Sequence, residues 1–205
     1  MPARGLISRW SLGQRSGERP PLSPEGGIPG TALSARAVQL YTPPALSPQA
    51  KAGVARARAY LLAAQPHTGD AHAFRLMGLL WTEASASQIA AAARELIAQQ
   101  RADGGWAQTP QMASDAYATG QALTAISMTQ SDMVTGDPYR RGVAFLMGTR
   151  EADGSWHVRS RAFGFQPYFE SGFPHGHDPW ISIAATAWAV IALMPAVEPA
   201  DIAAR

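Results

Sequence analysis

Cysteine is absent from this chain of 205 residues. Its absence excludes disulfides, thiolate zinc sites, iron–sulfur clusters, covalently attached c-type haem and a cysteine nucleophile. Lysine is nearly absent as well: Lys51 stands alone among 17 basic residues. Charged residues make up only 16% of the sequence, below the usual quarter, and alanine takes much of their place. Such a composition favours closely packed helices of small residues over a surface laced with salt bridges. No segment alternates in polarity for long enough to predict a strand. The start, Met1–Gly13, lacks the apolar run of a secretory signal.

The formal net charge of +2 is unevenly placed. Arg4, Arg9, Arg15 and Arg19 against Glu18 give residues 1–19 a charge of +3, which leaves −1 for residues 20–205. Nucleic-acid binding wants a basic stripe on a folded face, and none is visible. The longest uncharged stretch lies between Asp178 and Glu198 and approaches the length of a membrane span. Pro179 and Pro195 bracket it, and Ser182 and Thr186 interrupt it. That pattern predicts a helix buried inside the fold. Without a signal or a span, the expected location is cytoplasmic or peripheral to a membrane.

Eight of the 16 prolines fall within the first fifty residues. Residues 1–27 therefore read as a poorly ordered tail, residues 28–197 as the folded domain and residues 198–205 as a second tail. Within the domain, periodic apolar residues and breakers predict helices over 31–40, 49–65, 70–84, 87–100, 114–129, 138–150 and 180–194. Asp70, Ser87 and Ser114 are the expected helix-start residues, Pro138 suits a first turn, and Asp103-Gly104 and Asp153-Gly154 are stop signals. The expected class is all-α.

Internal repeats carry the most information. Arg94-Glu-Leu-Ile-Ala-Gln-Gln-Arg-Ala-Asp-Gly-Gly-Trp106 aligns with Ala144-Phe-Leu-Met-Gly-Thr-Arg-Glu-Ala-Asp-Gly-Ser-Trp156 at an offset of 50. The apolar helices repeat too: Thr119-Gly-Gln-Ala-Leu-Thr-Ala-Ile126 matches Thr186-Ala-Trp-Ala-Val-Ile-Ala-Leu193, and Thr31-Ala-Leu-Ser-Ala-Arg-Ala-Val38 fits the same register. Two helix types thus alternate, an amphipathic one that ends in a turn and an almost uncharged one. Stacked αα-hairpins with the charged type outside are the simplest arrangement. In the repeated turn, glycine takes the left-handed conformation after the helix, and the tryptophan can fold back over the last carbonyls. Gln100 can then bond the backbone of an adjacent helix end. Gln100, Gly104, Trp106, Gly154 and Trp156 are read first as a structural staple.

Gln100-Arg-Ala-Asp-Gly104-Gly-Trp106 resembles the QW motif of the squalene–hopene and oxidosqualene cyclase family, with Asp153-Gly-Ser-Trp156 a weaker copy that has Arg150 in place of the glutamine. The resemblance spans about residues 28–195. It implies a partial α/α toroid of stacked hairpins, the fold of terpenoid cyclases and protein prenyltransferases, and a polyisoprenoid or similar apolar ligand. It implies no cofactor and no metal. In the family, an inner-helix Asp-x-Asp-Asp-Thr segment protonates an alkene. Aligning Thr119 with that threonine keeps the first aspartate as Asp115 but puts Tyr117 at the proton donor and Ala118 at the third aspartate. Acid-initiated cyclisation is therefore not expected, since an unperturbed phenol has a pKa of about 10. Asp115 also reads plainly as a first-turn helix charge.

Thr119 and Thr186 are 67 residues apart but Trp106 and Trp156 only 50, so the second repeat carries an insertion of 17 residues before its inner helix. Long loops in compact folds are often functional, and this one is aromatic. Phe163, Phe165, Tyr168, Phe169 and Trp180, with Tyr117 and Trp188 of the inner helices, are the candidate ligand-binding residues. They could stabilise a cation or simply plug the mouth of the fold. Glu170 and Asp178 join Asp115 as candidate catalytic carboxylates, provided that the loop brings them together. His175-Gly-His177-Asp178 has too few ligands at a characteristic spacing to predict a metal site. Three and a half hairpins leave an open edge, which either a missing N-terminal half or another chain would cover. The two functional expectations are a cyclase-like binder of an apolar ligand and a non-catalytic helical-repeat scaffold for protein contacts.

Overall fold

Alanine-rich runs broken by proline and by Asp-Gly turns fold into seven α-helices in the computed structural model, which describes residues 27–129, 134–160 and 170–196. These are α1 (Gly27–Tyr41), α2 (Ser47–Ala63), α3 (Gly69–Trp81), α4 (Ala86–Ile97), α5 (Ala116–Ser127), α6 (Asp137–Gly148) and α7 (Pro179–Leu193). The class is all-α as expected. One small exception is a pair of two-residue strands, β1 (Trp106–Ala107) and β2 (Ser114–Asp115), antiparallel with Trp106 opposite Asp115. Both expected tails, apart from Gly27, lie outside the described residues, as do Phe163, Phe165, Tyr168 and Phe169.

Helix α1 begins four residues before the expected 31; the other starts differ from expectation by one or two residues, and at α3, α4 and α5 the reason is a common one. A capping oxygen must precede the first helical residue and reach the amide three positions on. Thr68 does this at α3 by accepting from Ala71 N, Ser85 at α4 by accepting from Gln88 N, and Asp115 at α5 by accepting from Ala118 N. Gln88 returns the bond to the Ser85 amide, which completes a capping box. Asp70 and Ser87 thus sit inside first turns, and Ser114 belongs to β2. Pro138 lies in the first turn of α6 as expected.

Helices α1, α3, α5 and α7 form a row: α1 packs on α3, α3 on α5 and α5 on α7. The intervening helices bridge neighbours in that row, α2 against α1 and α3, α4 against α3 and α5, and α6 against α5 and α7. The middle of the row is α5, where every residue from Ala116 to Ile126 is buried. Its approach to α7 is so close that a Cβ on Gly120 would lie 2.7 Å from the Trp188 carbonyl carbon and 2.8 Å from the Ala189 nitrogen. The opposing surface on α7 is a run of alanines, Ala185, Ala189 and Ala192, all without exposed area.

The last helix is where expectation and structure part. Its composition predicts burial, yet only Pro179, Ile181, Ser182, Ala185, Ala189 and Ala192 are buried. One side packs on α5 and α6. The other carries Trp180, Ala187, Val190, Ile191 and Met194 to the surface. Because α7 ends the row, no further helix covers it among the described residues. By length and composition Pro179–Ala196 would suffice to cross a membrane.

Gly120→Ala tests the close crossing. Helix propensity alone would favour alanine by about 1 kcal/mol, but the new methyl meets backbone that cannot rotate away. Overpacking of this kind costs about 1–3 kcal/mol. A lower urea midpoint is expected for the variant; an equal or higher one would show that α5 and α7 are not held this close.

Candidate functional site

The repeated turn has the same hydrogen bonds in both copies. The first copy uses Arg101 N to Gly105 O, Gly104 N to Arg101 O and Gly105 N to the Asp103 carboxylate. Glu151 N to Ser155 O, Gly154 N to Glu151 O and Ser155 N to the Asp153 carboxylate repeat them 50 residues on. Gly104 and Gly154 hold φ of 86° and 89°, the left-handed region that an L side chain avoids. Each tryptophan then folds back: the Trp106 indole donates to Leu96 O and the Trp156 indole to Leu146 O, both at 2.8 Å. Each tryptophan amide also donates to an inner-helix hydroxyl, Trp106 N to Thr119 Oγ1 and Trp156 N to Thr186 Oγ1. Gln100 donates from Nε2 to Gly104 O and to Pro138 O at the start of α6, and accepts from Arg141 at its oxygen. It therefore fastens one hairpin to the next.

Asp115 is fully engaged at the start of α5. One carboxylate oxygen caps the helix through Ala118 N, and the other accepts from Gln108 Nε2 at 2.8 Å. Tyr117 is buried on the same helix. Trp188 is half-buried, its ring meeting Phe74 of α3 edge-on at 6.1 Å. Trp180 is 65% exposed. The three described aromatic residues of the predicted lining, Tyr117, Trp180 and Trp188, are thus split between the packed middle of the row and the open face of α7.

The loop before α7 contains a cluster that the sequence did not reveal. Its members are Asp153, Ser155, His157, His175 and Asp178. His157 and His175 stack with ring centres 4.9 Å apart. His157 Nε2 is 2.9 Å from Asp178 Oδ2, and His175 Nε2 is 2.6 Å from Ser155 Oγ. Ser155 in turn donates to the Asp153 carboxylate, and Asp178 Oδ1 accepts from Ser160 N. His175 holds a φ of 86°, unusual for a side chain with a Cβ. Ser155 thus anchors a strained residue to the turn below it. Glu170 accepts from Gly172 N, while the Asp178 oxygens face His157 and Ser160. Among the described residues no group of three or more His, Cys, Asp or Glu could hold a metal ion. No sequence signal links these residues, because 18 to 21 positions separate the partners across the loop.

Burial works to raise the Asp178 carboxyl, but the His157 hydrogen bond, the Ser160 amide and the charges of His157 and Arg159 outweigh it. The group is held below its ordinary value. In Asp153, hydrogen bonds from the Ser155 hydroxyl and amide lower the carboxyl. Burial raises the Tyr139 phenol, opposed by a bond with Ser127; its hydroxyl donates to Ala192 O and so ties α6 to the end of α7.

A groove of about 500 Å³ opens between α1 and α2, lined by Val38, Thr42, Lys51, Val54, Arg58 and Glu83 among others. A smaller one, about 40 Å³, lies between His67, His72 and Arg101. Neither is lined by Tyr117, Trp180 or Trp188. No family model matches this chain, and no curated protein matches it.

Two outcomes follow from this geometry. Trp106→Ala should destabilise the fold by about 3–5 kcal/mol, the usual cost of emptying a packed aromatic site. Trp106→Phe, which mainly removes the bond to Leu96, should cost about 1 kcal/mol. Equal melting temperatures for wild type and Trp106→Ala would remove the staple from the fold. For Asp178 the folded-state pKa is depressed, so its stabilisation is present above the unfolded value, about 3.9, and is lost as pH falls through the folded value. Asp178→Asn should therefore lower the melting temperature near neutral pH and approach wild type below about pH 4. A difference that is constant from pH 3 to pH 7 would contradict the charged role.

Proposed function

We propose that this chain is a helical-repeat scaffold, built as a partial α/α toroid, which makes contacts through the apolar face of α7. The observation that carries the reading is the exposure of Ala187, Val190, Ile191 and Met194 at helical spacing on a helix with no charged side chain. Contiguous exposed apolar surface of this kind marks interaction sites. The interior points the same way. Phe74 of α3 and Trp188 of α7 meet edge-on, and α5, which packs on both helices, is buried along its length. A binder of large apolar ligands needs an apolar hollow there. Asp115, the residue aligned with a cyclase carboxylate, serves as a helix cap with both oxygens engaged.

One observation favours the second reading, a cyclase-like binder of a polyisoprenoid or other apolar ligand. Among the described residues neither amide atom of Gln121 has a hydrogen-bond partner, nor does the Thr124 hydroxyl, and both side chains are buried on α5. Buried polar groups are ordinarily satisfied, so a ligand carrying one polar group would have partners ready.

Incubation of the purified chain with squalene and oxidosqualene, followed by mass spectrometry of the lipid extract, separates the readings. The scaffold reading expects neither a cyclic product nor lipid retained by the protein. Protein-dependent cyclic triterpene, or stoichiometric lipid carried through gel filtration, would overturn it. Gln121→Leu gives an independent measure. Without a ligand it relieves a buried unsatisfied amide and should raise stability by about 1–2 kcal/mol; if Gln121 serves a ligand, lipid retention falls instead.

A further inference from the structure

The repeat that relates α1, α5 and α7 also relates their surfaces, and this makes the two ends of the row comparable. Ala32 on α1, Gly120 on α5 and Ala187 on α7 occupy one repeat position. Ala32 faces the next helix in the row: a Cβ on Gly78 of α3 would lie 2.8 Å from the Ala32 Cβ. Gly120 also faces the next helix, against Trp188 and Ala189 of α7. Ala187 faces solvent. Its neighbours Val190 and Ile191 are exposed by 51% and 46%, whereas their counterparts on α5, Leu123 and Thr124, are buried. The outer face of α7 is therefore a copy of the surface by which α5 receives α7 at Gly120 and α6 at Leu123.

The other end of the row offers the matching half. The face that α7 sets against α5 consists of Ala185, Trp188, Ala189 and Ala192, which correspond on α1 to Gly30, Leu33, Ser34 and Ala37. On α7 the three alanines have no exposed area, while on α1 Leu33 is 51% exposed, Ala37 is exposed, and Gly30 and Ser34 are half-exposed. A Cβ built on Gly30 would touch nothing within 4 Å. The chain thus carries one uncovered receiving face and one uncovered inserting face of the same repeat. We propose that α1 of a second copy of this chain docks on α7, in the register by which α7 itself sits on α5. The proposal rests on the scaffold reading and names its partner. Carried across the repeat, the Gly120 contact with Trp188 and Ala189 becomes a contact of Ala187 with Leu33 and Ser34 of the other copy. Such a head-to-tail contact either closes as a ring or extends as a chain of copies.

The absence of cysteine makes the register directly testable. In the full chain, Ser34→Cys combined with Ala187→Cys should give a disulfide between copies under mild oxidation, seen as ladder bands on non-reducing gels. Ser34→Cys combined with Ala90→Cys, on the exposed side of α4, should give several-fold less. Sedimentation of the unmodified chain should show at least twice the monomer mass, and Ala187→Arg should return it to the monomer with an unchanged helical circular dichroism spectrum. A monomer at about 100 µM, the range where weak interfaces associate, would overturn the proposal, whether residues 1–26 or another protein covers α1. So would an assembly that Ala187→Arg leaves intact, or cross-linking no better than that of the control. The scaffold reading fails on different evidence, lipid turnover or retention, so the two failures are distinguishable.

Discussion

The indole N–H of Trp106 on the carbonyl of Leu96, repeated by Trp156 on Leu146, fixes how each outer helix hands the chain to the next inner one. The bond covers a carbonyl near the helix C-terminus that would otherwise lack a complete set of partners. It also sets the tryptophan backbone where its amide reaches Thr119 or Thr186. Both ends of the connection are thereby pinned, and what lies between them is free to vary. The span from tryptophan to threonine is 13 residues in the first copy and 30 in the second. Lengthening a loop a little over twofold costs only about 0.7 kcal/mol in closure entropy, small beside the loss from emptying a tryptophan site. A long insertion can therefore enter the second repeat without disturbing its frame.

The same frame explains why one repeat position carries an aspartate in one copy and a serine in the next. Asp115 and Ser182 correspond, and both tie the start of an inner helix to the segment that follows the tryptophan. Asp115 does so through the Gln108 side chain, whereas Ser182 bonds directly to the Val158 backbone, accepting from its amide and donating to its carbonyl. A hydroxyl can both donate and accept; a carboxylate only accepts, and so requires the amide of glutamine as its partner. The exchange conserves a joint while changing its chemistry. It also accounts for a carboxylate at the position that resembles a catalytic one without drawing on any reaction.

The helices were legible because alanine periodicity, proline and Asp-Gly act locally, and each survives in the final packing. Starts were less so: Thr68 and Asp70, or Ser85 and Ser87, compete as caps within two residues, and only the three-residue reach to an amide decides between them. The environment of α7 was misread for a different reason. An apolar surface all round a helix records what the helix can bury, not whether a neighbour is present, and α7 stands at the end of its row. The histidine cluster was beyond reach altogether. His157 with Asp178 and Ser155 with His175 meet through the path of an irregular loop, which has no period to read. The cyclase-like lining was inferred from residue type alone. Trp180 and Trp188 differ in exposure because they sit eight residues apart on a helix with one covered and one open side.

Close crossings also limit what the open face of α7 can receive. In two close crossings of the row one partner contributes a glycine, Gly78 against Ala32 and Gly120 against Trp188 and Ala189. At the exposed end the receiving position is Ala187, so a helix cannot approach there at the Gly120 spacing unless it supplies the missing room itself. An inserting helix with alanine at every contact, like α7, would have to sit farther out and lose dispersion contacts along its length. The inserting face of α1 has Gly30 where α7 has Ala185, with open space where its side chain would be. It also replaces the indole of Trp188 with the smaller Leu33. The methyl of Ala187 still faces the backbone of the inserting helix, as Gly120 faces that of Trp188 and Ala189. Helix α1 of a second copy therefore keeps the register of the α5–α7 crossing but sits farther out, with Leu33 in place of the indole easing the approach of the side chains.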